Sequence, residues 1–293
     1  MDKDETAKKS VKRSLILAGG GQKVAFQAGV LQVWLDEAKI EFHHADGASG
    51  GLLNLAMWCQ GLSGSEIADN WRKYNPLDGI DLNWKQLWKL YWTASFFKYD
   101  RFRRKVLGDT WGLDWSKIKS STKEATFNLY NFSQQKLELF PPKSMTEDLL
   151  ISGISLPTWF EPVDIGGNQY IDAVYATDAN LEEAIACGAD ELWIIWTVSD
   201  SGIWRNGLIA HYFQIIEAAG NGPFNVVLQR IAYNNKMIDS GLEGEFRRKI
   251  EVKLLKEEVP LHYLFNFSHK KMEKAVDLGV EAARKWCKEQ AID

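Results

Sequence analysis

Asp46-Gly47-Ala48-Ser49-Gly50-Gly51 is the stretch on which the reading of this 293-residue chain turns. Gly47-x-Ser49-x-Gly51 has the G-x-S-x-G spacing of a nucleophile elbow, a strained strand-to-helix turn that lifts a hydroxyl clear of the backbone. Its glycines relieve steric pressure where the backbone takes unusual angles and where strand and helix approach closely. An apolar helix is expected to start at Gly50 and run through Leu52, Leu53, Leu55, Ala56 and Met57, with its N-terminus pointing at Ser49. Such a pentapeptide also arises by chance in turns, so its surroundings decide its meaning.

Upstream, Ser14-Leu15-Ile16-Leu17-Ala18 is a short apolar run stopped by Gly19-Gly20-Gly21, which predicts a buried first strand entering a tight loop. A helix should follow, with Val24, Ala25, Ala28, Leu31, Val33, Trp34 and Leu35 on its apolar face and Gln27, Gln32, Asp36 and Glu37 mostly outside it. Strand, glycine loop and helix together aim backbone N–H groups at whatever sits above the strand end. A dinucleotide fingerprint would need a third glycine where Val24 stands. The loop reads better as a source of oxyanion donors for Ser49.

Composition narrows the function classes. A hydrophobic content of 45% can bury a full core, and the length suits one domain with insertions. With 35 basic against 39 acidic residues the net charge is -4, which offers no basic field to nucleic acid. Cys59, Cys187 and Cys287 are far apart with no C-x-x-C pair, so they read as buried thiols in a reducing compartment, and no metal or cofactor site is visible. Residues 1–13 are charged throughout and predict a disordered start without the apolar region of a signal peptide. No run approaches the ~18 apolar residues of a membrane span, so a cytoplasmic protein is expected. The 13 tryptophans exceed ordinary core needs and raise the question of an interfacial surface.

Downstream of the elbow, Ser63 and Ser65 can cap a helix that breaks near Asn75-Pro76. Residues 76–120 then form an aromatic-rich helical insertion, a candidate lid. Within it Trp84, Trp88, Tyr91, Trp92, Phe96, Phe97, Tyr99, Phe102, Trp111 and Trp115 are interleaved with Lys85, Lys89, Lys98, Arg101, Arg103, Arg104 and Lys105. Leu87, Trp88, Tyr91 and Trp92 recur at helical spacing, so core packing is the first explanation. The other is a peripheral membrane contact through residues 84–115, because aromatic and cationic residues mixed in this way suit a headgroup layer.

Residues 125–132 and 136–140 predict a strand pair around Ser133-Gln134-Gln135, and a helix ends near Ser152. In Tyr170-Ile171-Asp172-Ala173-Val174 a lone acid directly follows an apolar run, at the strand-end position where α/β sheets place catalytic groups. A helix over 182–187, a strand over 191–198, a largely helical 207–240 broken at Asn221-Gly222-Pro223, a strand over 250–255 and a last helix capped by Ser268 complete the chain. Alternating helices and strands predict an α/β fold. A carboxylate is a weak base at neutral pH, so Asp172 must sit in a desolvated pocket to activate a serine. Ser49, Asp172 and His262 also follow the Ser…Asp…His order of α/β-hydrolases, which leaves a triad esterase as an alternative, although only two strands precede the elbow. His43 and His44 beside the elbow strand, and His211 and His269 in helical stretches, read as surface or capping residues.

Taken together, Gly19-Gly20-Gly21-Gln22-Lys23, Gly47-Ala48-Ser49-Gly50-Gly51, Ser155-x-Pro157 and Asp172-Ala173 resemble the patatin-like phospholipase family in order and spacing over most of the chain. The resemblance implies a three-layer α/β/α sandwich with a mostly parallel central sheet over residues 14–293. It also implies hydrolysis of lipid acyl esters, of the phospholipase A or lysophospholipase kind, by a serine–aspartate dyad without a cofactor. By the same resemblance Ser49 is the nucleophile and Asp172 the base. Gly19, Gly20 and Gly21 form the oxyanion loop, and Lys23, Gly47, Gly50 and Gly51 support it. Lys23 stands where the family usually has arginine, Val24 where its loop often closes with glycine, and Ala173 where the acid is usually followed by glycine. A relative that has kept the fold for lipid binding and lost turnover is the alternative from outside the enzymes.

Overall fold

A computed structural model describes residues 11–89 and 92–292. The disordered start expected for residues 1–13 falls mostly outside these, as do Tyr91 and the Leu87 side chain of the aromatic segment, while Arg13 already pairs in the first strand.

Strand β1 (Arg13–Leu17) leads through the glycine loop into a 3-10 turn (Gly21–Val24) and helix α1 (Ala25–Leu31), which widens into a π-helical turn at Gln32–Glu37. Strand β2 (His44–Ala48) runs into the elbow and is followed by α2 (Gly51–Gln60) and α3 (Gly64–Lys73). Ser63 caps α3 in a full capping box with Glu66. The insertion holds α4 (Pro76–Gly79), α5 (Trp84–Leu87), a π-helical stretch (Phe102–Thr110) and α6 (Trp115–Lys119). Then come the hairpin β3 (Glu124–Asn131) and β4 (Lys136–Phe140), α7 (Glu147–Ser152), and a second hairpin of β5 (Val163–Ile165) and β6 (Asn168–Asp172). Helix α8 (Leu181–Ala186), β7 (Glu191–Trp196), α9 (Leu208–Asp239), β8 (Glu251–Lys256) and α10 (His269–Glu289) finish the fold.

The eight strands of the described residues join one sheet in the order β5-β6-β3-β2-β1-β7-β8, with β4 also paired to β3. From β3 to β8 the neighbours are parallel, and the two hairpins add antiparallel pairs at the other end. The alternation of β1 builds the layers. Leu15 and Leu17 face a core shared with α1, α2, α3 and α10, while Ile16 and Ala18 face a second core under α8 and α9. The molecule is therefore the expected α/β/α sandwich on a mixed sheet. Helices α1 and α10 cross at glycines: a Cβ on Gly29 would lie 2.0 Å from the Val276 carbonyl oxygen, and one on Gly279 would lie 2.1 Å from that of Phe26.

Three expectations about local structure need correction. Helix α9 does not break at Asn221-Gly222-Pro223 but passes through Pro223, because Phe224 stacks on Trp196 with ring centres 3.8 Å apart and Asn221 ties its turn to the Ser199 carbonyl. Gln27 is fully buried rather than outside the apolar face, since its amide caps the Ala18 carbonyl and accepts from Asn54. His44 is a core histidine bonded to Ser14 and Thr126, and burial pushes it down to about 4. Cys59 and Cys287 are buried as expected, whereas Cys187 is partly exposed.

Candidate active site

Parallel strands present their C-terminal ends at one edge of the sheet, where the loops after β1 and β2 meet. Register does the rest. Ala48 at the end of β2 pairs with Asn128, and the next residue of β3, Leu129, pairs with Asp172 on β6. The residue after Ala48 and the last residue of β6 thus come level across β3. Ser49 takes a left-handed backbone with φ 50°, strained for a residue with a side chain, and its Oγ donates to Asp172 Oδ2 at 2.7 Å.

Asp172 is held from several directions. Its Oδ1 accepts the Val174 N–H at 2.9 Å, and its own N–H donates to the Ser155 carbonyl at 3.0 Å. That second bond gives the Ser155-x-Pro157 stretch its place in the site. Burial pushes the Asp172 carboxyl up to about 7, against the lowering pull of the Ser49 and Val174 hydrogen bonds. A group near 7 can exchange a proton with a serine at neutral pH, which an ordinary carboxylate does poorly.

The glycine loop lies beside the elbow. Gly20 and Gly21 have φ of 146° and 55°, and a Cβ on Gly50 would sit 3.1 Å from the Gly21 nitrogen, so the loop and the start of α2 are in direct contact. Among the hydrogen bonds of the described residues the N–H groups of Gly20, Gly21 and Gly50 have no acceptor. Gly19 differs from the expectation: its N–H is committed to the Asp178 carbonyl at 3.1 Å, and its own carbonyl accepts from Thr197 Oγ1 at 2.9 Å. It anchors the loop rather than donating from it. Gly47, next to last in β2, lies against Leu55, and Gly51 packs so close to β1 that a Cβ would lie 2.0 Å from the Leu17 oxygen.

Lys23, expected as a supporting cation, points away from Ser49. Its Nζ lies 4.4 Å over the Tyr263 ring and 3.5 Å from Glu258, in a separate cavity that His262 also lines, and burial pulls its pKa down. His262 spends its Nδ1 accepting the N–H groups of Leu264 and Phe265. No histidine lines the Ser49 cleft among the described residues. The triad order in the sequence is therefore not a triad in space.

The cleft above Ser49 is apolar and narrow, about 100 Å³, with Leu53, Trp71, Phe97, Tyr99, Phe102, Ile154, Leu156, Phe160, Leu264, Phe265 and Phe267 around the Ser49–Asp172 pair. The insertion splits in two. Phe102 and Trp111 are core, with Trp111 4.9 Å from Trp71, whereas Trp84, Trp88 and Trp92 are 66%, 88% and 83% exposed. Core packing thus accounts for part of residues 84–115 and leaves these three indoles in solvent.

Two buried networks escaped sequence reasoning. Asp46 accepts from Asn128 Nδ2 at 2.8 Å and from the Asn180 N–H at 3.2 Å, joining the elbow strand to β3 and to the cap of α8. Burial pushes this acid well up, against both hydrogen bonds. Asn54 donates to the Val24 carbonyl and accepts from the Trp71 indole at 2.6 Å, under the glycine loop. The available signal was an Asn inside an otherwise apolar strand or helix, which must find partners when buried.

The family profile of Patatin, described as patatin-like phospholipase, matches residues 15–185. No curated protein matches the chain. Among solved structures, the crystal structure of VipD from Legionella pneumophila matches with 12% identity and a TM-score of 0.45, over 95% of this chain and 67% of that one. The profile match spans more than half of the chain and takes in the glycine loop, the elbow and Asp172 together, so this protein belongs to the patatin-like phospholipase family.

Proposed function

We propose that the chain is a lipid acyl hydrolase of the phospholipase A or lysophospholipase kind, with Ser49 as nucleophile and Asp172 as its base. The observation that carries this reading is the 2.7 Å hydrogen bond from Ser49 Oγ to Asp172 at a left-handed elbow. Asp172 takes the hydroxyl proton as Oγ attacks the ester carbonyl and hands it to the departing alkoxide. Water then repeats the cycle on the acyl-enzyme. The N–H groups of Gly20, Gly21 and Gly50 stabilise the tetrahedral oxyanion, and the aromatic cleft takes the acyl chain. Asp172 accepts a proton only when ionised, so turnover should rise with pH through about 7. The exposed indoles of Trp84, Trp88 and Trp92, with Lys85 and Lys89 between them, rest on the lipid surface that supplies the substrate.

A fluorophosphonate read by intact mass is expected to add one adduct to the wild type and none to Ser49→Ala. On a panel of phospholipids and lysophospholipids, Ser49→Ala and Asp172→Asn should each lose about 10³-fold or more in rate while His262→Ala keeps most of it. An adduct that persists in Ser49→Ala, or a His262→Ala loss as deep as that of Asp172→Asn, overturns the dyad.

A further inference from the structure

Beside the Ser49–Asp172 pair lies a second buried acid that the mechanism does not use. Asp178 is 2% exposed, its Oδ1 has no hydrogen-bond partner, and no ion pair among the described residues involves it. A side chain at Gly19 would begin 1.8 Å from Asp178 Oδ1 and 2.8 Å from Ser49 Cβ, so the carboxyl and the serine face each other across that glycine. Gly220 of α9 flanks the other side, with a Cβ there 3.2 Å from Oδ2. Two positions without side chains make room for this one carboxyl.

The ionisable groups around it are otherwise engaged. Asp172 lies on the same connection, and Tyr175 shares a hydrogen bond with Tyr212. Tyr263 donates to Glu217 at 2.8 Å, and the Lys23 amine is turned to the Tyr263 ring and Glu258. Two acids buried in one site do not both carry charge cheaply, and the donors decide which one does. Asp172 receives the Ser49 hydroxyl and the Val174 N–H. For Asp178 the one donor near the carboxyl is the Gly19 N–H, which bonds the Asp178 backbone carbonyl at 3.1 Å and pulls the carboxyl down against burial.

We propose that Asp178, held beside Ser49 as the uncharged acid, sets the alkaline limit of the hydrolase, so that turnover falls when this carboxyl ionises. The proposal rests on the reading of Ser49 and Asp172 as nucleophile and base. A carboxylate at Asp178 would oppose the oxyanion that forms on the ester attacked by Ser49, and would make Asp172 harder to ionise. Burial first, and then the Asp172 charge, push Asp178 up to about 8, while the Ser49 and Val174 donors pull Asp172 down. Asp172 then limits turnover on the acid side and Asp178 on the alkaline side.

The test is the pH profile of fluorophosphonate labelling at Ser49, and of ester hydrolysis, from about pH 5 to about pH 10 in wild type and Asp178→Asn. The wild type should rise through about pH 7 and fall above about pH 8. Asp178→Asn, which supplies a neutral group of the same shape, should keep the acid limb, stay within about threefold of wild type at its optimum, and lose the alkaline fall. An alkaline limb unchanged in the variant overturns the proposal. So does a folded variant inactive at every pH, because the proton itself would then be a reactant. A wild type that never labels fails the nucleophile reading instead and removes the premise. Should the variant not fold, the carboxyl carbon-13 resonance of Asp178 in the unaltered protein decides: titration near 8 supports the proposal, and full ionisation by about pH 6 overturns it.

Discussion

At the scale of single residues, the site stores free energy in Ser49 and Asp172. Ser49 holds a left-handed backbone, which costs a residue with a Cβ about 1 kcal/mol or more. Asp172 is a buried acid raised to about 7 from an ordinary 3.8. Between those values the native state holds a proton that the unfolded chain has lost, so stability falls as pH rises through that window. Asp172→Asn removes the titration. It should abolish turnover and yet raise the unfolding free energy above pH 7 by about 1–3 kcal/mol, with no gain near pH 4, as read by urea denaturation at the two pH values. Equal stability of variant and wild type at both pH values would mean that Asp172 is not an energetic burden to the fold.

At the scale of elements, the site depends on how closely helices meet the sheet and one another. Helix α1 carries the glycine loop's C-terminal anchor and is held by α10 through the Gly29 and Gly279 crossing. Adding side chains there has no outlet, because both would strike backbone carbonyls. Gly29→Val and Gly279→Val are each expected to cost about 2–3 kcal/mol or more in chemical denaturation, and to reduce Ser49 labelling in proportion to the unfolded fraction. Gly222 in α9 has nothing within 4 Å, so Gly222→Ala should be neutral or stabilise by up to about 1 kcal/mol. Opposite signs for two glycine substitutions in helices would separate close approach from propensity.

Across the whole molecule, the narrow cleft and the exposed indoles belong together. An open volume of about 100 Å³ is below the ~300 Å³ of ordinary ligand pockets, and the insertion supplies part of its wall through Pro76, Phe97, Tyr99 and Phe102. The same insertion carries Trp84, Trp88 and Trp92 outward. Its cations divide: Arg101 is paired with Asp78, Arg103 with Glu147 and Asp148, and Lys105 with Asp109, whereas Lys85, Lys89, Lys98 and Arg104 have no ion pair among the described residues, and Lys85 and Lys89 alternate with the exposed indoles. Anionic vesicles are expected to bind the protein and raise its rate, each free lysine contributing ~1 kcal/mol. Replacing Trp88 and Trp92 by Ser and Lys85 and Lys89 by Glu should abolish both effects and spare hydrolysis of a short soluble ester. Equal loss on vesicles and on the soluble ester would show that the segment serves the cleft alone. Among the described residues no helix is long and apolar enough to cross a membrane.

The elbow, the glycine loop, β1, the β3–β4 hairpin and the acid that ends β6 were legible in the sequence because each is set by neighbouring residues: steric relief at glycine, period-two alternation, and apolar runs ended by turns. Partners distant in the chain were not. Ser49 and Asp172 meet only through the register of β2, β3 and β6, and His262, in the connection after β8, lines another cavity despite its promising order. Gln27 and Gly19 were misassigned for one reason: whether an amide or an N–H is free depends on what the tertiary structure sets against it, here the Ala18 and Asp178 carbonyls. Composition announced an excess of tryptophan, but only packing separated Trp34, Trp71, Trp111, Trp193 and Trp196 in the core from Trp84, Trp88, Trp92 and Trp204 at the surface. Burial is a property of the assembled layers, and no local pattern encodes which face another layer will cover.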